Sequence, residues 1–87
     1  MNAASNQESP GFIRGEDVKE YAIVIEDAGE NYSAYVPDLP GCVSTGSSID
    51  EATANIREAI ALHIESLREH GEEVPPPTSR ASTVQVA

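Results

Sequence analysis

The sequence predicts an α+β fold: a three-stranded antiparallel meander, one long amphipathic helix laid across it, and a closing strand near the C-terminus. Three observations predict it. Residues 19–46 carry short β-type runs separated by turn residues, residues 49–70 repeat apolar side chains at helical spacing, and residues 82–87, "STVQVA", return to alternation. With 87 residues, 39% of them hydrophobic, the chain supports one small domain with a thin core. That domain is expected over residues 18–87, after a flexible leader at residues 1–17 in which Phe12 and Ile13 are an isolated apolar pair.

The first strand is read in "KEYAIVIE", which is rich in β-branched and aromatic residues, with Tyr21, Ile23 and Ile25 on one face and Ala22 and Val24 on the other. "DAGEN" supplies Asp, Gly and Asn for a turn, and "YSAYV" restores alternation, with Tyr32, Ala34 and Val36 opposite Ser33 and Tyr35. Pairing should lapse through "PDLPG", because Pro37 and Pro40 donate no ladder hydrogen bond. Gly41 there takes backbone angles closed to other residues, and Leu39 is the one side chain able to anchor the corner. "CVSTG" then makes a short third strand antiparallel to the second.

Ser48 followed by Glu51 fits a capping box, and Asp50 adds negative charge at the positive end of the helix dipole. Ile49, Ala52, Ile56, Ala59, Ile60, His63, Ile64 and Leu67 fall on one arc of the helix, opposite Glu51, Glu58, Glu65, Arg68 and Glu69. The helix should end near His70, since Gly71 favours a left-handed terminator and residues 75–77 are prolines. Val84 and Val86 then alternate with polar residues in the closing strand. One helix covers one sheet face, so Ala22, Val24 and Tyr35, together with Leu62 on the acidic side of the helix, are the candidate oligomer interface of a homodimer or tetramer.

Composition narrows function. Fifteen acidic residues against five Lys and Arg give a net charge of −10, which disfavours direct nucleic-acid binding by this chain and attracts a basic protein. The lone Cys42 excludes an intrachain disulfide or a multi-cysteine metal site, and it reads as a small buried residue. Without an apolar run of spanning length or a signal-type leader, cytoplasmic residence is expected. His63 and His70 stand about 10 Å apart along the helix, too far to share one ion. Glu26, Asp27, Asp38, Asp50 and Glu51 would have to converge to hold magnesium, yet each has a simple turn or cap role. No catalytic residue, metal or cofactor is therefore expected. Gly41 and Gly46 do not make a phosphate loop.

Residues 21–77 nonetheless carry a specific combination: a strand running into "PDLPGC", a Ser/Thr/Gly link, a helix opening on "DEA", and a proline stop. In this combination the chain resembles the HicB-like antitoxin family. The resemblance implies a degenerate ribonuclease-H-like fold without nuclease activity. It also implies that the protein neutralises a small basic messenger-RNA-cleaving toxin, HicA, by masking the toxin's catalytic histidine. Many members carry a further DNA-binding segment, and the stretch after the prolines is too short for one, so a stand-alone domain is expected. Candidate toxin contacts are Asp27, Glu30, Asp38, Asp50 and Glu51. The alternatives are a residual metal-dependent nuclease, which requires at least three clustered carboxylates, and an oligomeric scaffold with no toxin partner.

Overall fold

The computed structural model describes residues 19–87; the leader expected at residues 1–17 lies outside the described residues. Three strands, β1 (Val24–Asp27), β2 (Tyr32–Tyr35) and β3 (Val43–Gly46), form an antiparallel sheet in the order β1-β2-β3, followed by the helix α1 (Ile49–Glu69). The meander and long helix are as expected. The ladder runs from Val24↔Tyr35 to Asp27↔Tyr32 on one side of β2 and from Tyr32↔Gly46 to Tyr35↔Val43 on the other. Side chains alternate across this register. Ile25 and Ala34 therefore face the helix, while Val24, Tyr35 and Val43 form a row on the far face.

The core is Ala34, Val36, Leu39, Cys42, Ala52 and Ile56, with Tyr21, Ile23, Ile25, Tyr32, Ala59 and Ile60 packed around it. Helix α1 turns the stripe that its periodicity dictates toward the sheet: Ala52 and Ile56 are buried, Ala59, Ile60, His63, Ile64 and Leu67 are half-buried, and Ile49, at its first position, is 54% exposed. Ser48 caps the helix, its Oγ accepting the Glu51 N–H at 3.0 Å. The return limb differs from a strict capping box: the Glu51 carboxylate accepts from the backbone N–H and the hydroxyl of Ser47, one residue ahead of the cap. At the other end Glu72 N–H bonds to Leu67 C=O and Gly71 N–H to Arg68 C=O. Gly71 sits at φ +69°, which completes the left-handed stop.

The "PDLPG" corner consists of two consecutive β-turns. Leu39 N–H bonds to Val36 C=O around Pro37, and Cys42 N–H bonds to Leu39 C=O around Pro40, with Gly41 at φ +84° as a type II turn requires. Val36 N–H to Cys42 C=O closes the pair and aims Leu39 fully inward.

Two expectations are corrected. The first strand was expected from Lys19, but pairing begins at Val24, because its partner Tyr35 is the last residue of β2 before the corner turns the chain away. Residues 19–23 thus have no β2 residue to pair with. The closing C-terminal strand is absent: residues 72–87 carry no regular structure, and Val84 and Val86 are each 90% exposed. Alternation alone makes no strand without an edge beside it, and this tail is tethered elsewhere.

Candidate functional site

The register divides the candidate acidic residues between the two ends of the sheet. Asp27 closes β1 opposite Tyr32, which pairs with Gly46 at the end of β3. The turn after β1 and the start of α1 therefore share one end. Asp27, Glu30, Asp50 and Glu51 are all exposed there, and Glu26, also exposed, lies one row in. Sequence reasoning set Glu26 aside as a metal candidate; only the register places it beside this cluster. Some of these carboxylates are locally engaged. Asp27 Oδ1 accepts the Gly29 N–H at 2.9 Å, which shapes the turn, and hydrogen bonds from Ser47 hold the Glu51 carboxyl below its ordinary pKa. Glu30 and Asp50 make no side-chain hydrogen bond to another described residue.

Asp38 belongs to the opposite end, in the double turn, and its carboxylate ties down the C-terminal tail. It accepts the backbone N–H and hydroxyl of both Thr78 and Ser79 at 2.8–3.0 Å. Nearby, the Tyr21 hydroxyl donates to Pro75 C=O. Burial raises the pKa of Tyr21, and the negative charge of Asp38 adds to the effect, so this hydroxyl remains a donor. The sequence separation of about 40 residues in the Asp38 contacts explains why no local pattern announces them.

The hydrogen bonds from Ser79 and Thr78 hold the Asp38 carboxyl below its ordinary range. A depressed carboxylate pKa contributes stability that is present above the unfolded-state value and is lost as pH falls through the folded-state value. Acidification is therefore expected to release the tail, and Asp38→Asn, which keeps one acceptor oxygen, should loosen it at neutral pH. Amide hydrogen exchange at Thr78 and Ser79 checks this: both should exchange faster in the variant, while Ile56 stays protected. Unchanged exchange would mean that the tail is held by other contacts.

The remaining candidates carry no visible chemistry. Burial pushes the Cys42 thiol up, which disfavours the thiolate. His70 sits at the helix end with its Nδ1 donating to Ser66 C=O at 2.8 Å, and His63 is half-buried on the stripe. Among the described residues no three His, Cys, Asp or Glu side chains converge as a metal site would require. No helix there is long and apolar enough to cross a membrane. The candidate oligomer residues do not form one patch. Val24 and Tyr35, 40% exposed, share a row on the outer sheet face with Val43; Leu62, 61% exposed, lies on the helix; Ala22 is half-buried ahead of β1.

A family profile described as the HicB-like antitoxin of bacterial toxin-antitoxin system matches residues 21–86, from the Tyr21 anchor through the tail. The chain belongs to the HicB-like antitoxin family. An uncharacterized 14.9 kDa protein of Haemophilus phage HP1 is 47% identical over 55 residues, which are 63% of this chain and 41% of that protein. A UPF0150 protein of Thermoplasma acidophilum is 40% identical over 67 residues, 77% of this chain and 97% of that protein. The chain thus spans less than half of the phage protein's length and nearly all of the Thermoplasma protein's. Among solved structures, a chain of a HicA3 and HicB3 toxin-antitoxin complex superposes with a TM-score of 0.61 at 37% identity, over 68% of this chain and 70% of that one.

Proposed function

We propose that this HicB-like chain is an antitoxin that binds a small basic RNA-cleaving toxin of the HicA kind and masks its active site, acting by binding and not by catalysis. The likeness to a chain from a solved toxin-antitoxin complex carries this reading. Electrostatics supports it: a net charge of −10 steers a cationic partner inward, and the end bearing Asp27, Glu30, Asp50 and Glu51 concentrates exposed acidic side chains. Asp38 is the weakest of the candidate contacts, because the tail already occupies both of its oxygens. The nuclease alternative has no observation in its favour.

The test is co-expression with the small open reading frame adjacent to this gene. The expected result is a stable complex and rescue of growth from that frame's toxicity; toxicity without complex formation would sink the reading. Within the complex, Glu30→Lys combined with Asp50→Lys should weaken affinity by about tenfold or more at low salt and by less at high salt, as screening requires. Titration calorimetry at two ionic strengths measures it. An unchanged affinity and salt slope would move the toxin to another face.

A further inference from the structure

Among the described residues, a cavity of about 770 Å³ opens between residues 19–23, helix α1 and the root of the tail. Tyr21, Ile23, Ile56 and Ile60 give it an apolar floor. Lys19, Arg57 and Arg80 stand around that floor against one acid, Glu20. A chain of net charge −10 thus gathers three of its five Lys and Arg beside an apolar recess. A basic partner is the wrong occupant for such a face, and an apolar segment with acidic neighbours is the right one.

The segment that joins the structure at this point has the matching chemistry. Residues 1–18 lie outside the described residues and meet the fold at Lys19, which itself lines the cavity. In a largely polar stretch they hold one adjacent pair of large apolar side chains, Phe12 and Ile13. Glu16 and Asp17 stand between that pair and Lys19, and Gly15 with Asp17 supplies residues at which a chain reverses. Phe12 precedes Lys19 by seven positions, at most about 24 Å of extended chain, and so short a loop closes at small entropic cost. The family profile begins at residue 21, so this pair lies outside the pattern shared by the family.

We propose that the cavity is the docking site of this chain's own leader: the chain turns at residues 15–17, lays Phe12 and Ile13 on the apolar floor, and brings Glu16 and Asp17 toward Lys19, Arg57 and Arg80. Docking removes apolar surface from water on both sides of the contact, and the charges select this segment over a basic one. Because the occupant is tethered beside its site, it holds the cavity at every protein concentration. The inference does not depend on the toxin reading, since it concerns the chain alone.

Trypsin cleavage and disulfide trapping test it on the full chain. Cleavage after Arg14 is timed in the unaltered protein and in Phe12→Ser with Ile13→Ser, each relative to a free peptide of its own residues 8–18. The double variant should be cut about tenfold faster or more, since the burial of two such side chains no longer has to be undone before the protease reaches the bond. Equal relative rates would overturn the proposal. For trapping, Arg14→Cys, which leaves the apolar pair intact, is combined with Thr53→Cys on the cavity wall or with Leu62→Cys, exposed on the same helix outside the cavity. Cys42 is buried and stays out of the reaction. The Thr53 pair should oxidise within one chain while the Leu62 pair does not. Equal cross-linking of the two pairs would mean an undocked leader, and cross-links that form only between chains would mean that a second copy fills the cavity; either result overturns the proposal, even if the serine variant folds poorly.

Discussion

Gly46→Ala is expected to cost the protein about 3 kcal/mol or more, the upper end of the range for overpacking. A methyl group at this buried position would stand 2.8 Å from Ala52 Cα and 2.8 Å from the Glu51 carbonyl carbon, and closer still to the Ala52 nitrogen. All three are backbone atoms of the first turn of α1, so no rotamer change relieves the clash. That turn is pinned by the Ser48 cap and by the Ala52 N–H to Ser48 C=O bond at 2.9 Å. Relief therefore means lifting the start of the helix off β3, which uncovers Ala52 and Ile56, both buried. Against a total stability of roughly 5–15 kcal/mol for a domain of this kind, such a loss is large. Urea denaturation followed by circular dichroism measures it. A midpoint equal to that of the unaltered protein would show that the helix start is free to shift.

Leu39→Ala comes next, with an expected loss of about 2–5 kcal/mol. Leu39 is fully buried and is the one core residue within the "PDLPG" corner, between the buried Val36 and Cys42 that flank it, so truncation leaves a void that the two proline-locked turns cannot collapse to fill. Leu39→Met should cost less than about 1.5 kcal/mol, because it conserves volume. The contrast between the two variants separates loss of packing from disruption of the turn. Equal denaturation midpoints for both would remove Leu39 from its anchoring role. Because Asp38 precedes Leu39 in the same turn, the alanine variant should also speed amide exchange in Thr78 and Ser79.

Legibility of the fold followed the range of the forces involved. The hairpin, the corner, the cap and the helix stop were readable because each is set by residues within about one turn of one another: Gly29 and Asp27 in the turn, Pro37, Pro40 and Gly41 in the corner, Ser48 at the cap, Gly71 at the stop. The same locality explains the two errors. "KEYAI" and "STVQVA" have strand composition, but a strand is a relation between two segments, and neither segment finds its partner among the described residues. Of the candidate site, the acidic character was readable and its geometry was not: residues spread over the sequence divide between opposite ends of the sheet only once the register is known.

By itself, the amino-acid sequence determined the three strands, the capped amphipathic helix, the proline corner and a strongly negative surface, because periodicity, backbone restriction and charge are local or additive properties. Only the tertiary structure decided that Asp38 holds the tail, that Gly46 admits the helix against β3, and that the tail's valines are left uncovered beside a cavity. Those are contacts between atoms far apart along the chain, and their existence depends on where the packed core brings them.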